Sequence, residues 1–119
     1  SLMSNHLLKN YQISTEQFNV LRILRGQYPN NCSIQTILER MIDRSSNASR
    51  IVEKLRLKAL VTRKECEQDR RLVDVLITTK GLDLLAEIDV SLEKWEETFR
   101  NITQEEAKEL NRILDKLRG

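Results

Sequence analysis

At 119 residues the chain has room for one compact domain with a modest core, and not for two. With 4% aromatic and 32% charged residues, one Pro and three Gly, it reads as long regular elements with few loops, a mainly α protein. The net charge of +2 says little about partners, and a single histidine, His6, with Cys32 and Cys66 far apart, excludes the usual metal-ligand clusters and the Cys-His and Ser-His-Asp sites.

Charge distribution is more informative than the total. Residues 40–71 hold ten Lys/Arg against five Asp/Glu, a balance of +5. Residues 83–119 hold six against ten, a balance of −4. The basic block is the footprint a polyanion needs; the alternative is an unevenly charged solvated surface. Two thiols without a disulfide framework suit a reducing cytoplasm. Each reads as a small core or surface residue before it reads as a redox switch. No signal peptide and no apolar run of membrane-spanning length is present in the sequence.

Leu7, Leu8 and Tyr11 read as the end of a first helix. "ISTEQFNVLRIL" opens a clearer one. Ser14 suits its N-cap, Gln17 at N3 completes a capping box, and Ile13 and Phe18 occupy the hydrophobic-staple positions. Phe18, Val20 or Leu21, and Leu24 mark its buried stripe, and "GQYPNN" ends it. Ser33 can cap the next helix, "SIQTILERM", where Ile34, Ile37, Leu38 and Met41 repeat at helical spacing.

A further helix is expected over "SSNASRIVEKLRLK". Ala48, Ile51, Val52 and Leu55 bury one face. At about 100° per residue the opposite face carries Ser46, Arg50 and Glu53, flanked by Asn47 and Lys54. Its first turn is short, polar and rich in hydrogen-bond donors, and a helix N-terminus carries positive partial charge. Such a helix fits a major groove, where Arg meets guanine O6 and N7 with two hydrogen bonds. The plain alternative is an ordinary solvated face.

Two strands follow, "LVTRKEC" and "LVDVLIT", joined by "EQDRR". Three helices and then a hairpin is the order of a winged helix-turn-helix. The last third reads as one long helix, "TTKGLDLLAEIDVSLEKWEETFRNI", and a second one. Leu85, Ile88, Leu92, Trp95, Phe99 and Ile102 are spaced 3, 4, 3, 4, 3, an a/d seam. Thr103 and Glu106 form another capping box, so the helix breaks near Asn101. Ala107, Leu110, Leu114 and Leu117 continue the seam, widened by Ile113. Packing inside one chain is the simple explanation. A small winged domain, however, has no second core to cover two extra amphipathic helices, which favours a homodimer interface.

These stretches resemble the multiple antibiotic resistance regulator (MarR) family. "SSNASRIVEKLRLKALVTRK" looks like its recognition helix and first wing strand. "DRRLVDVLITTKG" looks like its wing, with Asp69, Arg71, Val75, Ile77, Thr78 and Gly81 in register. "ISTEQFNVLRIL" resembles the helix before the helix-turn-helix. The likeness runs from about Ile13 to Leu117.

The resemblance implies a mainly α fold with a small β-hairpin wing. A winged helix-turn-helix would span about 14–80, and a helical dimerisation region about 1–12 and 81–119, together one MarR-like domain. It implies a cytoplasmic bacterial homodimer on a pseudo-palindromic duplex DNA operator, in the manner of a repressor. Many members release DNA on binding a small effector, here of unknown identity. No cofactor, metal, membrane or enzyme activity is implied. Ser45, Ser46, Asn47, Ser49 and Arg50 match the groove-facing start of the recognition helix, and Lys54 a later phosphate position. Arg71 matches the wing-tip arginine that enters a minor groove, Asp69 the acid that orients it, and Arg70 is available for phosphate. The dimer contact falls to Leu85, Ile88, Leu92, Trp95, Phe99, Ile102, Leu110, Leu114 and Leu117.

Several departures stand out. Ala59 replaces a glycine that is common in the family, at a position that often needs left-handed geometry, a cost of about 1–2 kcal/mol for a side chain. Either the turn differs or some stability is given up. Leu57 falls on the outward side of the recognition helix, where the family is usually polar. The segment before Ser14 is shorter than the family's first dimer helix. Its oxidant-sensing N-terminal Cys has no counterpart here; Cys32 is expected in a loop and Cys66 near the wing. The competing reading is a winged-helix protein-interaction module without DNA binding. Glu53 and Leu57 point that way, while Ser46, Asn47, Arg50 and Lys54 oppose it.

Overall fold

The computed structural model describes residues 2–41, 47–66, 68–69, 72–100 and 102–118, with side chains at all of these except 2–5 and Phe99. They form α1 (Leu2–Asn10), α2 (Thr15–Gln27), β1 (Cys32–Ser33), α3 (Ile34–Arg40), α4 (Ala48–Leu57), β2 (Val61–Glu65), β3 (Val73–Ile77), α5 (Thr79–Phe99) and α6 (Gln104–Arg118). The chain divides into two compact units, one of residues 16–85 and one of residues 1–15 with 86–119. Helix α5 begins in the first and ends in the second.

In the 16–85 unit the three strands form one antiparallel sheet in the order β1-β3-β2. Val61 faces Ile77 and Glu65 faces Val73 along the wing hairpin. Beyond Glu65, Cys66 N–H still donates to Leu72 O at 2.9 Å, so the ladder runs one residue further toward the tip. The expected wing strands are therefore present. Strand β1 is an addition. Cys32 and Ser33 pair with Val75 and Asp74, so Cys32 sits in a buried strand and not in a loop. Two residues are too short to carry a period-2 signal.

The core of this unit is built from the expected stripes. Val20, Leu21 and Leu24 of α2, Ile37 of α3, Val52 and Leu55 of α4, and Val75 and Ile77 of β3 are almost wholly buried. Among the described residues of this unit one polar side chain is buried, that of Gln17, whose Oε1 accepts from Lys58 Nζ at 3.1 Å. The bond satisfies the amide oxygen and ties α2 to the end of α4. Ser33 caps α3 as expected, its Oγ accepting from Thr36 N–H at 3.1 Å.

Helix α4 ends in a Schellman motif. Leu60 N–H donates to Leu55 O at 3.0 Å and Ala59 N–H to Arg56 O at 2.9 Å, with Ala59 at φ 61°. Of the two readings open for Ala59, the structure selects the left-handed turn. Ala59→Gly should therefore raise stability by about 1 kcal/mol, read as a higher midpoint in urea with an unchanged slope. An unchanged or lowered midpoint would mean that the turn carries no strain.

Thr78 and Gly81 fasten the wing to the next helix. Thr78 N–H donates to Leu60 O at 3.0 Å, and Thr78 Oγ1 donates to Ala59 O at 2.8 Å and accepts from Gly81 N–H at 3.1 Å. Lys80 Nζ donates to Lys58 O at 3.0 Å, placing a cation at the negative end of α4.

In the second unit α6 packs along α1. Tyr11 Oη and Ser91 Oγ are hydrogen-bonded at 2.7 Å, and His6 meets the Trp95 ring edge-on. Helix α1 also ends in a Schellman pair, Ile13 N–H to Leu8 O and Gln12 N–H to Lys9 O, with Gln12 at φ 59°. The capping box of α6 is formed. Glu106 N–H donates to Thr103 Oγ1 at 3.1 Å, and Thr103 N–H donates to Glu106 Oε1 at 2.9 Å.

Those bonds hold the Glu106 carboxyl below its usual range, the backbone bond contributing most. A depressed carboxyl stabilises the fold fully above its unfolded-state value and loses that contribution as pH falls through the folded one. The wild type should thus exceed Glu106→Gln in helicity near neutral pH and converge with it in acid, as followed by circular dichroism. A gap that persists in acid would assign the difference to another cause.

Along α6 no residue is buried, and Leu117 is 75% exposed. Ala107, Leu110 and Leu114 are half-buried. At the start of the apolar seam Leu85 and Ile88 are wholly buried. Leu92, Trp95 and Ile102 are half-buried, and the side chain of Phe99 lies outside those described.

Candidate nucleic-acid interface

The outward face of α4 is set by its N-cap. Asn47 Oδ1 accepts from Arg50 N–H at 3.1 Å, and Ile51 N–H donates to Asn47 O. The helix consequently starts at Ala48, three residues later than the sequence pattern implied, because the asparagine carboxamide satisfies an otherwise orphan donor there. Ala48, Ile51, Val52 and Leu55 turn inward. Asn47, Ser49, Arg50 and Lys54 are all exposed. Asn47, Arg50 and Lys54 recur at i, i+3 and i+7, so they share one face of the helix. Leu57 extends the same face and is 71% exposed.

Asn47 has a double assignment. Its oxygen is engaged by the helix, which leaves the amide N–H groups for a ligand. The Arg50 side chain takes no part in the cap; only its backbone N–H does. Of the remaining sequence-derived positions, Ser45, Ser46, Arg70 and Arg71 lie outside the described residues. Asp69 is half-buried in the wing, where its backbone carbonyl accepts from Leu72 N–H at 2.9 Å.

Sequence reasoning missed a small ionic cluster beside this face. Glu53 on α4 pairs with Arg56 at 2.6 Å and with Arg63 of β2 at 3.5 Å. The Arg56 hydrogen bonds, helped by both guanidinium charges, hold the Glu53 carboxyl below the usual range. Glu53 thereby links α4 to β2. A signal was available: "TRKE" has no apolar alternation, and Thr62, Arg63, Lys64 and Glu65 are all exposed in β2.

The Cys32 thiol is not set up as a reactive group. Burial pushes the Cys32 thiol up, against a smaller opposing pull from Arg40, and a raised value disfavours the nucleophilic thiolate. Among the described residues no group of His, Cys, Asp and Glu could hold a metal ion.

The family model described as the MarR family matches residues 13–73. The chain belongs to the MarR family. This MarR-family chain is 30% identical over 114 residues to the HTH-type transcriptional regulator MgrA of Staphylococcus aureus, covering 96% of this chain and 76% of MgrA. It is 28% identical over 110 residues to the HTH-type transcriptional repressor IacR of Pseudomonas putida, covering 92% of this chain and 65% of IacR. A MarR transcription factor from Planctomyces limnophilus superposes with a TM-score of 0.73 at 25% identity, over 96% of this chain and 84% of that one. A Staphylococcus aureus MepR mutant bound to an oligodeoxyribonucleotide has the same fold, with a TM-score of 0.73 at 22% identity over 97% and 84% of the two chains.

Proposed function

We propose that two copies of the chain bind duplex DNA as a sequence-specific transcription regulator in the bacterial cytoplasm, acting as a repressor. The observation that carries the reading is the exposed Asn47–Arg50–Lys54 face on a capped helix, inside a winged-helix fold of a family of transcription regulators. Helix α4 would lie in the major groove. Ser45, Ser46, Asn47, Ser49 and Arg50 would face its base edges, and Lys54 a phosphate. Arg71 would enter the adjacent minor groove, oriented by Asp69, with Arg70 on the backbone. Residues of about 14–80 would read DNA, and about 1–12 and 81–119 would pair the copies. The exposed Leu117 and half-buried Leu110 and Leu114 of α6 support a second copy as the cover for that face.

The test joins oligomeric state to salt dependence. Ultracentrifugation should give a dimer, and gel retardation of mixed genomic fragments should weaken steeply with salt. With about six phosphates neutralised, affinity should fall roughly a thousandfold between 50 and 200 mM salt. Absence of retardation at either salt would turn the reading toward a protein-interaction module, which the exposed Leu57 on the same face would then serve.

A further inference from the structure

On the side of the 16–85 unit formed by α2 and the end of α3 lies an open cavity of about 550 Å³, lined by Asn19, Arg22, Ile23, Arg25, Gly26 and Arg40. Its size falls within the range of small-molecule sites. Among the described lining residues three are arginines and none is acidic, a charge that favours an anionic occupant and opposes a cationic one. None of its described lining residues belongs to the Asn47–Arg50–Lys54 face, the wing or the apolar seam.

Two features make it more than a basic patch. Arg22 is held in place, its guanidinium carbon 5.6 Å from the centroid of the buried Phe18 ring. An arginine stacked on an aromatic face loses less freedom on gripping an oxyanion, and its planar fork suits carboxylate or phosphate oxygens. Gly26 is the second feature. It lies within α2, where glycine weakens a helix relative to alanine. A Cβ built there would meet nothing within 4 Å, so packing does not demand a glycine. Omitting the side chain does keep the cavity open. Ile23 supplies an apolar wall and Asn19 a hydrogen-bonding amide.

We propose that this cavity binds a small organic dianion, a phosphate monoester or a dicarboxylate, through Arg22 and Arg40 with Asn19 as orienting donor. The site bridges α2 to the last residue of α3, the first helix of the helix-turn-helix. Its ligand therefore grips the element that supports α4 from behind.

The experiment is a titration of the ¹⁵N-labelled protein, without DNA, with inorganic phosphate and separately with succinate, at ionic strength held constant with sodium chloride. At least one probe should give saturable shifts centred on Asn19, Arg22, Gly26 and Arg40. Tighter phosphate binding assigns a phosphate ester and tighter succinate binding a dicarboxylate; saturation by neither overturns the proposal. Arg22→Gln with Arg40→Gln, and separately Gly26→Leu, which places a branched side chain in the cavity, should each weaken the bound probe at least tenfold while circular dichroism stays that of wild type. Undiminished binding in both variants also overturns it. A loss of duplex affinity in the Arg22→Gln, Arg40→Gln variant equal to its loss of anion binding would mark the cavity as a seat for the DNA backbone, and that too counts against a small ligand. Because the titration contains no DNA, its failure leaves the transcription-regulator reading standing.

Discussion

Gly81→Ala should lower the thermal midpoint by roughly 10 °C, the effect of about 3 kcal/mol on a chain of this size. A Cβ at this position would lie 2.5 Å from Leu60 O and 2.7 Å from Ile77 Cγ1. The Leu60 carbonyl cannot swing aside cheaply, because it accepts from Thr78 N–H while Leu60 N–H closes the α4 terminus. Helix α5 cannot retreat cheaply either, since Gly81 N–H donates to Thr78 Oγ1 and Thr78 Oγ1 donates to Ala59 O. Relief requires moving the α4–β2 turn or the first turn of α5, and both are tied. Equilibrium urea unfolding measures the loss directly. A change below about 1 kcal/mol would show that the junction relaxes without resistance, below the usual cost of overpacking.

Arg50→Ala should weaken binding to the cognate operator by about 1–3 kcal/mol, roughly five- to 150-fold, and flatten discrimination at one base pair per half-site. The side chain is exposed and makes no part of the Asn47 cap, so the fold and its midpoint should remain as in the wild type. Asn47→Ala is a poorer probe, because it also removes the cap at about 1 kcal/mol. Binding measured on the operator and on single base-pair variants separates the outcomes. An equal loss on every sequence would make Arg50 a phosphate contact. No loss at all would remove α4 from the groove.

The long periodic stretches were legible in the sequence for a physical reason. Val20, Leu21 and Leu24, or Ile51, Val52 and Leu55, are spaced by helix geometry alone, and each set is buried. The Thr103–Glu106 box and the Ser33 cap were legible because local hydrogen bonds need only neighbours in sequence. What escaped was short or long-range. Strand β1 has two residues and exists through its pairing with Val75 and Asp74. The start of α4 depended on which of three adjacent small polar residues caps it, a choice composition does not make. The Glu53–Arg63 pair joins residues ten apart on different elements. At the candidate interface the exposed face was readable from angle; the cover of Leu85 and Ile88 was not, because an a/d seam looks the same whether its cover is the same chain or another.

The Glu53 cluster bears on how the molecule would tell one stretch of DNA from another. Arg56 and Arg63 carry their own counterion, a carboxylate built into α4. A phosphate arriving there would have to displace that carboxylate and would release fewer mobile ions to the solvent, so the entropy gained per contact would be smaller than the basic residue count implies. The attraction that is blind to sequence would be reduced, while contacts to base edges would be untouched. Against a genome of competing sites it is the ratio of the two that determines occupancy. One glutamate beside the reading face would thus favour selectivity at the expense of raw affinity.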